Sequence, residues 1–493
     1  MEVVVVINSK NKMKKIIILF ILFLSFEGYS QKTNNSNNTY KKRVLESAEI
    51  DIISSYYSQD GNNAAVTGGI GNENLTDVAT DIVVSIPLND DDVFTISATV
   101  SAYSSASSSN LDPFDLSGAS RNGDDDDDKS SASNITGSPW VASTGASKSD
   151  VWVNGNFGYS HSSDDRNTIV GATINFASEF DYISFGFGGN FTKLFNEKNT
   201  EINLRANVYL DTWKPVYPTE LDSYLEANQS LNRGFFSTID ILDENGNIID
   251  KNGTNVWSPY NTTLVDNTKR NTYSLSIGFS QILSKRAQIS LFLDVVQQQG
   301  WLANPMQRVY FGDRTNYYVG NASNIKNYTS PINTDVFQLA DDIERLPDSR
   351  LKIPIGARLN YYINESIVLR TYYRYYSDDW GITSQTAEIE LPIKISDKFT
   401  LYPSYRYYTQ TAADYFAPYE QNLSTSEFYT SDYDLSAFNS NQIGFGVSYT
   451  DIFTERKIWK FGLKSVDFKY NNYRRNTGLT AGIVSLGFKF IMD

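Results

Sequence analysis

From about Glu46 onward, apolar and polar residues alternate one for one along the chain. Phe94, Ile96, Ala98, Val100 and Ala102 are interleaved with Thr95, Ser97, Thr99 and Ser101. Ile202, Leu204, Ala206, Val208 and Leu210 alternate with Glu201, Asn203, Arg205, Asn207 and Asp211. Successive side chains of a strand point to opposite faces, so each such segment is apolar on one face and polar on the other. The pattern predicts about sixteen strands of the roughly ten-residue kind that spans a bilayer. Their cores fall near 47–57, 79–88, 93–103, 149–160, 167–177, 181–192, 200–211, 271–282, 287–297, 350–361, 366–376, 386–395, 399–409, 441–450, 463–472 and 479–490.

A soluble β-sandwich alternates in the same way, and the connections separate the two folds. Asn89–Asp92, Ser162–Arg166, Lys193–Asn199, Ser284–Arg286, Asn364–Glu365, Ser396–Lys398 and Asp451–Gly462 are short and rich in turn-forming residues. Every long connection belongs to the other set: 59–74, 104–148, 212–270, 301–349 and 410–440. A sandwich has no reason to sort its loops by parity, whereas a membrane barrel with both termini in the periplasm does. The expected fold is therefore all-β, an antiparallel up-and-down barrel with short periplasmic turns and long extracellular loops. Hydrocarbon leaves no partner for a bare backbone amide, so such a sheet must close on itself. Tyr56, Tyr57, Tyr103, Tyr372, Tyr376, Tyr405 and Tyr408 lie near strand ends and are expected at the membrane–water boundary.

The front of the chain agrees with export. Met13–Ser30 has two lysines, a short apolar run from Ile16 to Phe26, and small residues at Gly28 and Ser30. That is the layout of a cleaved signal peptide, too short to span a bilayer at roughly 20 apolar residues. Met13 is the expected true start, with residues 1–30 removed and 31–45 a short segment before the barrel. The expected location is the outer membrane.

Composition narrows the chemistry. Lys+Arg minus Asp+Glu is 42 − 57 = −15, which argues against a nucleic-acid partner. There is no cysteine and one histidine, so disulfides, thiolate nucleophiles and His-rich metal centres are excluded. The polar phase of the middle strands carries Arg205, Arg358, Arg370, Arg374, Glu388, Glu390 and Arg406, with Lys352, Lys394, Asp211, Asp467 and Lys469 in the same phase. These are the expected lumen-lining charges. They suit either a constriction that selects anions or, as the favoured reading, a salt-bridged wall that stiffens the barrel or pins an infolded loop.

Other motifs weigh less. Asp124–Asp128 could hold calcium but lacks the spaced chelating loop, and reads as solvated surface. Asp243-Glu-Asn-Gly-Asn reads as a turn, because its glycine comes too early for a calcium loop. His161 is the only imidazole base, and the nearby Ser160, Ser162 and Ser163 face apart from it on a strand end, so no enzyme is expected. No cofactor is called for. The segment from Ser58 to Gly71 is too glycine-rich for a plain loop and suggests a defined shape without phosphate-cradle spacing.

That segment, with Leu75-Thr-Asp, Ile86-Pro-Leu-Asn-Asp-Asp-Asp-Val and the serine repeat at Ser104–Ser109, resembles the domain of unknown function 3570 family of exported Bacteroidota proteins. The resemblance covers nearly the whole mature chain and carries no established chemistry. It implies an outer-membrane barrel, often encoded near a periplasmic flavin transferase and a thioredoxin-like protein. The implied partners are outer-membrane lipid, the barrel-insertion machinery and those periplasmic proteins. In one respect the chain departs from common barrels: Ile491, Met492 and Asp493 follow Phe490, where an aromatic end is usual. The expected function is a channel, or an envelope component supporting export or assembly of flavin-linked redox proteins. The alternatives are a loop-plugged barrel that binds an extracellular ligand or has a structural role, and an enzyme using His161.

Overall fold

The computed structural model describes residues 43–105, 149–329, 336–451, 453–454, 456–458 and 460–492. The alternating segments form strands β1 (Glu49–Asp60), β2 (Leu75–Pro87), β3 (Asp92–Ser105), β4 (Ser149–Ser162), β5 (Thr168–Ser178), β6 (Tyr182–Phe195), β7 (Thr200–Trp213) and β8 (Thr268–Ser284). They continue as β9 (Ala287–Gly300), β10 (Ser349–Asn364), β11 (Ile367–Asp378), β12 (Thr383–Glu390), β13 (Phe399–Gln410), β14 (Phe438–Thr450), β15 (Phe461–Arg475) and β16 (Thr480–Met492). Pro392 cannot donate to a ladder, so β12 breaks there and resumes only at Ile393–Lys394. Each strand pairs antiparallel with the next, and β16 pairs with β1 from Glu49↔Ile491 to Asp60↔Thr480. The sheet is a closed sixteen-stranded barrel with no free edge.

The outward face is inverted relative to a soluble protein. Val78, Ile174, Phe187, Leu275, Ile355 and Ile443 are exposed, Ile443 by 66%. Their partners in the alternate phase, such as Asp77, Ser184, Ser274 and Lys352, are buried inside. An apolar belt outside and polar side chains within are what hydrocarbon demands of a spanning sheet. Among the described residues no helix is long and apolar enough to cross a membrane; the strands make the crossing.

Parity corrects the tyrosine girdle. Tyr56 and Tyr405 point outward and are exposed, as expected of a boundary residue. Tyr57, Tyr103, Tyr372 and Tyr376 occupy the inward phase and are buried, and Tyr408 shares that phase. Nearness to a strand end set the expectation, but the face is decided by register. Outward tyrosines that do sit in the belt include Tyr273, Tyr361, Tyr373 and Tyr375.

Among the described residues, the long connections 61–74, 214–267, 301–348 and 411–437 are not solvated coils; 106–148 lies outside the described residues. Thr219–Glu226 forms α1, whose first turn carries Glu220 and Asp222, as favoured at a helix N-terminus. Arg308–Val309 pairs with Asp342–Ile343, and Tyr318–Gly320 with Val336–Gln338. Leu221, Phe236, Ile241, Trp257, Tyr310 and Leu339 close around one another as a hydrophobic core of the loops themselves. Leu302, Ala303, Leu346, Ala413 and Leu435 pack on the inward-facing Tyr376 of β11 and on Trp380. The described parts of the loops 214–267, 301–348 and 411–437 therefore fold inward over the barrel mouth as an ordered cap.

Candidate functional site

The lumen divides into two halves. Near the cap, inward side chains are buried, among them Gln59, Ser101, Thr272, Gln298, Ser384 and Ser440. Toward the short turns, Arg205, Asn190, Arg358, Glu388 and Arg406 are half-buried, and the Arg370 side chain is 44% exposed. Some inward side chains at that end are buried as well, Ser162, Thr192 and Ser448 among them, and at the β16–β1 seam Lys489 is buried between Glu49 at 2.7 Å and Asp51 at 3.6 Å. Water thus reaches the periplasmic half of the lumen, while the cap fills the outer half.

All seven candidate lumen charges lie on the inward phase. Arg370 faces Glu390 across β11 and β12, with Nη1 3.0 Å from the carboxylate. Arg406 faces Glu388 across β12 and β13, with Nε 3.0 Å away. The Arg358 guanidinium stacks 5.1 Å from the Tyr372 ring directly opposite it. Arg205 and Arg374 sit on β7 and β11 in the same phase. Lys394 lies at the periplasmic rim and pairs with Asp397 at 2.8 Å. Two cross-strand ion pairs, Arg370–Glu390 and Arg406–Glu388, offset part of the charge on this wall. The Arg370 side chain is the exposed member of these pairs, so replacing Arg370 by alanine should cost less than about 1 kcal/mol of barrel stability. The same change should still move the reversal potential of a conducting form toward cations, as measured under a salt gradient.

The sequence reading passed over the charges at the strand ends. Arg350 opens β10 and donates to Asp378 at the end of β11 (Nη2–Oδ2 2.5 Å), while its guanidinium lies 4.2 Å from the Trp380 ring centre. Its parity with Lys352 was the available signal.

Four buried bolts join the cap to itself and to the wall. Arg308 donates Nε and Nη2 to Glu220 (2.7 and 3.1 Å) and Nη1 to the Val66 carbonyl (2.7 Å). One side chain thereby ties three loops together. Arg475 on β15 donates to Asp434, and Gln410 on β13 donates to the Asp434 and Ser436 carbonyls at 2.9 and 2.6 Å. Asp342 accepts from Thr262 (2.5 Å) and Tyr429 (2.6 Å). Glu344 accepts from the Asn304 amide and the Thr430 hydroxyl, both at 2.6 Å. Burial pushes the Glu344 carboxyl up to about 7 and that of Asp341 up to about 6. Asp432 is raised well above its ordinary range by burial and by the neighbouring Asp434 and Glu344.

The glycine-rich segment earns its shape here. Gly68 and Gly69 have φ of +78° and +88°, and a Cβ at Gly69 would lie 2.6 Å from the Ser431 carbonyl oxygen. A Cβ at Gly68 would lie 2.5 Å from the Tyr310 ring. Only glycine tolerates both the backbone and the approach. Gly69→Val should therefore loosen the cap, seen as faster protease cleavage of residues 411–437 with the barrel itself intact.

The lesser motifs resolve simply. His161 points outward at the short-turn rim, its Nδ1 2.6 Å from Asp92, whose carboxylate also accepts from Tyr159 at 2.9 Å. Ser162 is buried on the opposite face and the Ser163 hydroxyl donates to Asp165, so no serine hydroxyl meets the imidazole among the described contacts. Asp243 caps its own turn, accepting from the Asn245 and Asn247 amides. Asp124–Asp128 lies outside the described residues. Among the described residues no group of three or more potential ligands is placed to hold a metal.

The family model described as "Protein of unknown function (DUF3570)" matches residues 18–483. The chain is a DUF3570 protein. Comparison of this DUF3570 sequence with curated proteins gives no match. Among solved structures, a bacterial polysaccharide outer membrane secretin aligns over 91% of this chain and 100% of its own, at 8% identity and a TM-score of 0.40. A Pseudomonas aeruginosa FadL homologue aligns over 91% of each chain at 9% identity and a TM-score of 0.36. Pseudomonas aeruginosa OpdK, solved with vanillate, aligns over 90% of this chain and 98% of its own at 7% identity and a TM-score of 0.34. The architecture of the DUF3570 barrel rests on its own strand ladder, which closes without reference to any of them.

Proposed function

We propose that this protein is a loop-gated conduit of the outer membrane, closed at the cell surface by its cap and open to the periplasm. The supporting observation is the split lumen: buried inward side chains under the cap, and half-buried, charge-paired ones below it. A barrel of about sixteen strands encloses more space than wall side chains fill. The cap fills the outer share with a hydrophobic core and buried ion pairs. The cap is held by a few discrete bolts rather than by covalent links, which is the construction of a gate. A loop-plugged barrel that only binds or braces is the second reading, favoured by the extent of the cap's core. A role beside flavin-transfer or thioredoxin-like partners is compatible with either.

Planar-bilayer recording of the refolded protein tests the reading. Wild type should conduct little, and variants that remove a bolt should show larger or longer openings. Silence from both would overturn the gate in favour of the plug.

A further inference from the structure

The inner wall of β4–β8 just beneath the cap differs from the rest of the lumen. Elsewhere the inward phase carries small polar residues, paired charges and tyrosines such as Tyr57, Tyr372 and Tyr376, but no tryptophan among the described strands. Here Trp152, Tyr182 and Trp213 turn inward, close together and at most 5% exposed. Tyr182 meets Trp213 edge to face at 6.3 Å, and the Arg270 guanidinium lies 5.3 Å from the Trp213 ring centre. Asp211 lies among Tyr182, Ser184 and Arg270.

The polar atoms of this patch are not served by the protein. The indole nitrogens of Trp152 and Trp213, Nε of Arg270 and the hydroxyl of Thr272 are all buried without a hydrogen-bond partner. Thr272 is fully buried and Arg270 only 4% exposed. Native proteins leave few such groups unpaired, and each one asks what satisfies it. Four of them in one inward patch, on β4, β7 and β8, mark a place built for something else to bond.

We propose that this patch binds a neutral, polyhydroxylated ligand of the saccharide class. A sugar ring presents apolar C–H faces that pack on tryptophan and tyrosine, and hydroxyls that both donate and accept. The patch offers each complement: aromatic faces, the Arg270 and indole donors, the Asp211 acceptor and the Thr272 hydroxyl. Asp211 and Arg270 offset each other's charge, and Glu179 and Asp181 flank the patch on the β5–β6 turn. The Asp211 carboxyl beside Arg270 leaves no bare cation for an anion to pair with. Ordered water would satisfy the polar atoms but gives no reason for two tryptophans and a tyrosine gathered around them.

The site is buried, so the proposal rests on the gated reading for access, and the test separates the two. Calorimetric titrations with maltohexaose, cellohexaose and chitohexaose are run on full-length wild type and on Arg308→Ala, with tryptophan emission followed in parallel. At least one sugar should bind saturably to Arg308→Ala, with a change in emission. Arg270→Gln in that background should weaken binding at least tenfold. Trp213→Phe, which keeps a ring, should weaken it only a few-fold while removing most of the emission change. No saturable binding by any of the three sugars overturns the saccharide site, even where Arg308→Ala conducts and the gate stands. Tighter binding of benzoate than of any sugar, or binding indifferent to Arg270→Gln, overturns it as well. Equal binding to wild type and Arg308→Ala, with neither conducting, keeps the site and overturns the gate.

Discussion

Replacing Arg308 by alanine should turn a quiet barrel into one that opens. Arg308 bonds two other loops at once, through Glu220 of α1 and the carbonyl of Val66. Its guanidinium also lies 5.2 Å from the Phe337 ring centre, so a third loop segment packs on it. Glu220 is only 3% exposed. Removing the cation leaves that carboxylate buried and unpaired, which costs about 3–5 kcal/mol when one partner of a buried pair is lost. The penalty falls on the cap, because the sixteen-stranded ladder is hydrogen-bonded independently of it. Conductance should rise, and protease should cut residues 214–267 and 61–74 faster, while the barrel keeps its heat-modifiable mobility on gels. Arg308→Lys keeps a charge but not the two-pronged geometry, and should fall between the two. Unchanged conductance together with unchanged cleavage would show that the cap is not held at this point.

The division between what could and could not be read from the sequence follows the division between ladder and cap. Strands advertise themselves, because a period of two is imposed on every residue by the bilayer outside and the water inside. Each of the sixteen predicted cores overlaps an observed strand; the one over 200–211, for instance, lies within Thr200–Trp213. The paired charges were visible for the same reason: Glu388, Glu390, Arg370 and Arg406 share one phase, and neighbouring strands set them side by side. The tyrosines show where this reasoning fails. Tyr56 and Tyr57 sit side by side at one strand end, yet one meets the outside and the other the inside. The cap was invisible because its contacts obey no period. Trp257 reaches the Ala340 carbonyl through its indole nitrogen at 3.0 Å across 83 residues. The available hint was compositional: Phe236, Trp257 and Tyr310 are too apolar for solvated loops, and Gly68 and Gly69 announced a close approach without saying to what.

Proton concentration should set how tightly the cap holds, and in a direction opposite to ordinary acid denaturation. Glu344 has its carboxyl pushed from 4.5 up to about 7 by full burial. Asp341 rises from 3.8 to about 6 for the same reason, and Asp432 shifts the same way. A carboxyl raised on folding favours the packed cap while protonated. That contribution is complete below the unfolded value and is lost as pH climbs through the folded one. For Glu344 the loss between about pH 4.5 and 7 is worth on the order of 3 kcal/mol, at 1.36 kcal/mol per pH unit. The acid limit comes from groups shifted the other way. Asp313 is held below its usual 3.8 by the Ser424 amide and hydroxyl of a neighbouring loop, and its contribution disappears only as pH falls through that lowered value. The cap should therefore be tightest between about pH 4 and 6 and loosen toward pH 8, read as faster amide exchange in 301–329 and 411–437. Glutamine at 344 mimics the protonated acid, so Glu344→Gln should flatten the alkaline limb of that profile and leave the acid limb alone. A cap that tightens as pH rises, or a Glu344→Gln profile identical to wild type, would show that the buried carboxyls of the gate are ionised throughout.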